Sequence, residues 1–346
     1  MPLITRKSSR ALSRRQALVT GLAIPAIVSS IGQARAATIL KISHQAPGGT
    51  IDKGDIRDRM CLRFAAEIAK RSGGDLAAQV YPGASLMKPQ GQWSAMRKGA
   101  LDLSMYPIAA AGGESPEANI GLLPSIVSSY EDAYGWKGKP IGKALTDYIA
   151  DKGIVVVSWL WLAGGIVSRN QKMIAPDDVK GFKLRGGSRE MDMVLKQAGA
   201  AVLSLPSTEL YTAMQTGACD AAITSASSMQ SFRLVETAKH LSFGKKSFWY
   251  IFGPLLMSKI IFDGLPKMQQ DIIMQAGADM ETFGLEGARA EDAAVIETFK
   301  SAGLNAYDFD DASLDKWKSI ARETAWKDFA DKSETAARLL KLATES

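Results

Sequence analysis

The residues best suited to metal or covalent chemistry are few and scattered. His44 and His240 lie far apart in the chain, and no His-x-x-x-His or Cys-x-x-Cys pair is present to seed a metal site. No G-x-G-x-x-G, phosphate-binding P-loop or G-x-S-x-G nucleophile elbow occurs. The sequence therefore predicts no metal and no cofactor. A catalytic reading is confined to an exported lyase or hydrolase assembled without a local motif from Asp, Glu, Ser or Lys.

One cation stands out by its setting. Arg185 ends the segment Lys183-Leu184-Arg185 and is followed by Gly186-Gly187. A guanidinium at a strand end presents a planar fork that matches a carboxylate in two hydrogen bonds, and it stays charged when desolvated. The two glycines would let a ligand approach the backbone. The same residues also fit an ordinary surface arginine, or an ion pair with Glu190 or Asp192, and both readings stand at this level.

The elements that must position such a residue alternate along the chain. Ile39 to Ser43 alternate as a strand. Ile56, Met60, Phe64, Ile68 and Ala69 form one face of a helix over 55–72, stopped by Gly73-Gly74. A strand at "LAAQVYP", a short helix from Pro89 and a strand at "DLSMYP" follow. "KGIVVVSWLWLA" is a long apolar run, expected as one strand buried on both faces. A Pro-led turn at Pro176 precedes the "KLR" strand. Then come a helix over "SREMDMVLKQAGA", a strand at "AVLSLP", a helix closed by Gly217, and a strand at "CDAAITS". Residues 228–240 read as amphipathic, "KSFWYIFGPLLMSK" as a second long strand, and the chain from Leu265 onward as mainly helical.

This rhythm predicts an α/β protein of two lobes in the manner of periplasmic binding proteins, with terminal helices packed across them. The expected division is 37–162 with 248–287 for the first lobe, and 163–247 with 288–346 for the second. The ligand cleft would lie between them.

The first thirty-six residues read as an export signal. Basic residues precede an apolar run from Ala17 to Ile31, and Ala34-Arg35-Ala36 closes it as a cleavage pattern. At about 15 residues, with Gly21 and Pro25 inside, the run is short of the roughly 20 needed to span a bilayer. Arg14-Arg15 within "SRRQAL" is the twin-arginine address, carried by cargo that folds before export. A periplasmic location by that route is expected, with a mature protein not embedded in the membrane.

The signal also explains the charge. The chain has 42 basic and 36 acidic side chains, but six of the basic ones and no acids lie in residues 1–36. The remainder is balanced at 36 against 36, which gives no reason to expect a nucleic-acid partner. Folding in a reducing compartment favours Cys61 and Cys219 as buried free thiols over a disulfide.

The block from Ala175 to Ser225, with "FRLVETAKHLS" after it and "KISHQAP", "YPGASL", "MRKGALDLSM" and "PEANIGLLPSI" before it, resembles the solute-binding subunits of TRAP transporters, the dicarboxylate-binding-protein family. The resemblance covers nearly all of residues 38–330. It implies capture of a small organic acid and delivery to TRAP membrane subunits; a module that presents its ligand to a sensor would use identical binding chemistry. It further implies that Arg185 forms a salt bridge with the ligand's carboxylate.

Two departures matter. Many relatives carry a second arginine twenty residues before the first, where this chain has Gly165; Arg169 is nearby but out of register. Where the family often has Asn, this chain has Thr224. Trp159, Trp161 and Tyr106 are the candidates for an aromatic wall. Loss of one polar clamp points toward a monocarboxylate with an apolar or aromatic body.

Overall fold

A computed structural model describes residues 37–345; the export segment read in residues 1–36 lies outside the described residues. The chain opens with β1 (Thr38–His44), α1 (Ile56–Arg71), β2 (Leu76–Tyr81), α2 (Pro89–Arg97) and β3 (Leu103–Met105). After two 3-10 segments come α3 (Tyr130–Gly135), α4 (Pro140–Asp151), β4 (Ile154–Ser158) and β5 (Trp161–Ser168). The middle continues with β6 (Lys183–Arg185), α5 (Arg189–Gln197), β7 (Ala201–Leu203), α6 (Leu210–Thr216), β8 (Ala221–Ser225) and α7 (Ala226–Ser231). It closes with β9 (His240–Ser242), β10 (Tyr250–Phe252) and β11 (Leu255–Ser258). Last come α8 (Lys259–Gly264), α9 (Lys267–Ser301), β12 (Asn305–Tyr307), α10 (Asp311–Ala321), α11 (Lys327–Ala330) and α12 (Glu334–Thr344).

The strands form two sheets. The first runs β2-β1-β3-β11-β4; the second runs β12-β9-β5-β8-β6-β7, with β10 paired to β5. Parallel pairs β1–β2, β1–β3, β6–β7 and β6–β8 give each sheet an α/β core with helical crossovers.

Both long apolar runs prove to be two strands each. "KGIVVVSWLWLA" breaks at Trp159-Leu160, leaving β4 in the first sheet and β5 in the second. "KSFWYIFGPLLMSK" breaks at Gly253-Pro254, with β10 against β5 and β11 between β3 and β4. Every residue of β5 and β11 is buried, so hydrophobicity carries no mark of the change of sheet. The two breaks touch: Gly253 N–H donates to the Leu160 carbonyl at 2.9 Å. They are two of the three backbone crossings between the sheets; the third is α9, which leads from β11 to β12.

The 35-residue α9, roughly 52 Å long at 1.5 Å per residue, packs on α1 and β4 from one half and on α7 and β5 from the other. Residues 228–240, expected as one amphipathic segment, divide into the end of α7, a 3-10 turn and β9. Within the expected C-terminal helical region, β12 adds a strand beside β9. The terminal helices span both halves, α10 against α5 and α12 against α4. Among the described residues no helix is long and apolar enough to cross a membrane.

Candidate functional site

The parallel strands converge on one cavity of about 690 Å³, within the ~300–1,000 Å³ range of small-ligand sites. Lining residues sit at or just beyond strand ends: Gln45 after β1, Tyr106 after β3, Arg185 closing β6, and Thr224 and Ser225 closing β8. Carboxyl ends of strands are where open α/β sheets place ligands, since the following loops are free to carry functional groups. Ser188 and Ser225, both on the wall, also cap α5 and α7 by accepting from Met191 N and Ser228 N at 3.1 Å each.

Arg185 is 7 % exposed. Its Nε donates to the Leu205 carbonyl, Nη1 to the Ile223 carbonyl and Nη2 to Ser207 Oγ, each at 3.1 Å. Five N–H donors minus these three leaves one on each terminal nitrogen. No carboxylate of the described residues lies within ion-pairing distance of it, so the ion pairs with Glu190 or Asp192 that the sequence allowed do not form; Glu190 instead accepts from Asn119 Nδ2 at 3.2 Å. Burial lowers the guanidinium's pKa to about 10, against the opposing pull of Asp192. Asp192 lines the same cavity, and burial raises its carboxyl to about 6 despite the attraction of Arg185. Gly187, at φ +89°, lies so close that an added Cβ would sit 2.8 Å from Arg185 Nη1 and 2.9 Å from the Trp249 ring.

Of the residues singled out in the sequence, Arg185, Tyr106 and Thr224 line this cavity. Tyr106 is 1 % exposed, burial raises its pKa well above the usual phenol value, and its hydroxyl has no hydrogen-bond partner among the described residues.

Trp159 and Trp161 lie elsewhere. β5 and β10 pair with Leu162 opposite Ile251 and Trp161 opposite Phe252. Because faces alternate along a strand, Leu162 and Ile251 point into the cavity while Trp161 and Phe252 point away. Trp161, Phe252, Trp159 and Trp136 form an aromatic cluster with centroids 4.8–6.5 Å apart. The aromatic rings on the cavity wall are Tyr106 and Trp249, the latter donating from Nε1 to the Leu122 carbonyl at 2.8 Å.

Arg169 is also outside the lining. β5 runs antiparallel to β8, with Gly165 opposite Thr224 and Ser168 opposite Ala221. Arg169 therefore sits four residues past the Thr224 level, roughly 13 Å along the strand. There its N–H bonds the Asp220 carbonyl and its guanidinium lies over Gly217. At Gly165 itself, an added Cβ would meet the Ser242 carbonyl at 2.5 Å and the Phe243 ring at 2.8 Å, so no arginine fits.

Sequence reasoning missed Arg57, Asn119, Ser207 and Trp249. Trp249 lay in a visible aromatic run; the other three depend on tertiary placement. Cys61 and Cys219 are both buried free thiols. Among the described residues no group of His, Cys, Asp and Glu is placed to hold a metal ion.

Residues 49–333 match the profile of the family described as bacterial extracellular solute-binding protein, family 7. A "Solute-binding protein" of Albidiferax ferrireducens is 54 % identical over 338 residues, covering 97 % of this chain and all of the relative. The C4-dicarboxylate-binding periplasmic protein of Rhodobacter capsulatus is 25 % identical, covering 88 % of each chain. Among solved structures, a TRAP periplasmic solute-binding protein from Rhodoferax ferrireducens with bound malonate superposes with a TM-score of 0.87 at 56 % identity, covering 88 % of this chain and 97 % of that one. A TRAP periplasmic solute-binding protein from a Sulfitobacter species with bound galacturonate shares the fold at a TM-score of 0.81 and 20 % identity, covering 89 % of this chain and all of that one. The two-sheet architecture with a cavity at the strand ends is thus the two-lobed periplasmic binding fold, and the chain belongs to family 7 of the bacterial extracellular solute-binding proteins, the TRAP-type periplasmic receptors rather than enzymes.

Proposed function

We propose that this receptor captures a small carboxylate through Arg185 and hands it to TRAP membrane subunits after export by the twin-arginine route. The observation that carries the reading is a buried guanidinium with no carboxylate in contact, held by two carbonyls and a hydroxyl, with one N–H left on each terminal nitrogen. Burying an uncompensated cation costs several kcal/mol. A ligand carboxylate would supply the missing counter-charge through two charge-assisted hydrogen bonds. The malonate bound to the 56 %-identical relative supports that ligand chemistry.

Thr224 and Ser207 flank the anchor, and Leu162, Trp249 and Ile251 offer an apolar wall for the ligand's carbon frame. The lobes are best divided by sheet, with Trp159-Leu160 and Gly253-Pro254 as the hinge segments around which the cavity closes.

A thermal-shift series with malonate, succinate and galacturonate tests the reading. A ligand at ~100 times its Kd stabilises the folded state by about 2.7 kcal/mol. At least one of the three acids raises the unfolding temperature of the wild type, and Arg185→Met abolishes that rise. No shift with any of them, or an undiminished shift in Arg185→Met, contradicts the proposal.

A further inference from the structure

The cavity contains a second buried arginine that the family's arginine pattern does not account for. Arg57, in the first turn of α1, is 8 % exposed and lines the same cavity as Arg185. Its Nε donates to Asp55 Oδ1 at 2.7 Å; its Nη2 donates to Asp55 Oδ2 at 2.5 Å and to Ser228 Oγ at 3.2 Å. Those three contacts use the Nε N–H and both N–H groups of Nη2. Both N–H groups of Nη1 are left without a protein acceptor among the described residues.

The two arginines are tied to nearby points. Ser228, which receives Arg57, accepts a hydrogen bond from Ser225 Oγ at 3.0 Å, and Ser225 is the last residue of β8. Arg185 Nη1 is on the Ile223 carbonyl of the same strand. The anchor points on β8 are thus two residues apart, about 7 Å along a strand, with the buried Thr224 between them on the cavity wall. The second sheet has no room for an arginine at Gly165. Helix α1 provides one instead.

We infer that Arg57 is a second anion contact of the binding site, through its Nη1, and thus the residue that selects a second anionic group on a small acid whose first carboxylate is held by Arg185. The inference rests on the proposed role of Arg185 and revises the monocarboxylate expected from Gly165. Asp55 and the ligand would share one guanidinium from two sides, so the ligand need not displace the Asp55 pair. A ligand spanning both arginines would also bridge the two lobes.

Calorimetric titration of malonate and of monomethyl malonate, which masks one carboxylate at nearly the same size, tests this. The wild type binds malonate at least tenfold more tightly than its monoester. Arg57→Lys, which keeps a cation beside Asp55 but removes the fork, cuts that preference at least fivefold. The double variant Asp55→Asn with Arg57→Met removes the Asp55–Arg57 pair together, leaving Glu291 nearby with the Ile56 N–H as donor, and erases the preference if it folds. A structural role alone would weaken both ligands equally and leave their ratio unchanged. An unchanged ratio in Arg57→Lys, or a wild type that prefers neither ligand or binds neither, overturns the inference. Arg185→Met separates the two readings: it loses both ligands if Arg185 is the anchor, and retaining both refutes the anchor whatever the ratio does.

Discussion

Asp192 and Arg185 share one wall of the cavity, and their proximity predicts that carboxylate binding is coupled to proton uptake. Burial holds the Asp192 carboxyl at about 6, with the Glu190 charge adding to the rise and Arg185 opposing it. At pH 7.5 Asp192 is therefore ionised and repels an incoming carboxylate that must sit on the same guanidinium. Two unit charges about 6 Å apart at an effective dielectric of 20 interact by roughly 3 kcal/mol. Partial solvation of Asp192 reduces this to about 1.4 kcal/mol, or tenfold in affinity.

The bound anion raises Asp192's pKa further, so binding takes up a proton near pH 7 and affinity increases as pH falls from 8 toward 6. Calorimetry in buffers of different ionisation enthalpy measures the proton directly. Asp192→Asn binds about tenfold more tightly at pH 7.5, with no proton uptake and a flatter profile. The same shift affects stability. A carboxyl whose folded pKa exceeds its unfolded value of 3.8 stabilises the fold at low pH, and that contribution is lost as pH rises through 6. The full difference is about 3 kcal/mol. A wild type that takes up no proton, or Asp192→Asn binding no more tightly than wild type, refutes the reasoning.

Two further outcomes follow from the same wall and from the thiols. Gly187→Ala places a Cβ against Arg185 Nη1 at a positive φ; it lowers stability by about 1–2 kcal/mol and eliminates the carboxylate-induced thermal shift, whereas an unaltered shift shows that the turn tolerates the methyl. Cys61 and Cys219 are unpaired, and burial, reinforced by Asp58 and Asp55, holds the Cys61 thiol well above its ordinary pKa. Reductant therefore leaves the urea midpoint unchanged and alkylation of the native protein is slow. A lowered midpoint in reductant reveals a disulfide.

The alternating α/β elements were legible because helix faces such as Ile56-Met60-Phe64 and turn glycines such as Gly217 act locally. The two changes of sheet were not. "SWLWLA" stays apolar through Trp159-Leu160 because both strands are buried, and hydrophobicity does not reveal which sheet a strand joins. Gly253-Pro254 was a readable break in the second run.

The strand end and the glycines after Arg185 made it a candidate but fitted a surface arginine equally, and the family resemblance chose between them; the structure puts it on the cavity wall. The tryptophans misled because Trp161 falls on the Phe252 face of the β5–β10 pair, opposite to Leu162, and Trp159 lies in the break before β5; strand parity does not show which face meets the cavity. Arg57 sits beside Ile56 on a helix whose sequence marks it only as polar. Its role depends on where α1 meets α7, and nothing local encodes that meeting.

The most direct test is a crystal structure of the protein with malonate. The account predicts one carboxylate with its two oxygens within about 3.2 Å of the Arg185 terminal nitrogens, between the two sheets. Malonate bound elsewhere, with Arg185 still satisfied only by Leu205, Ile223 and Ser207, would contradict it.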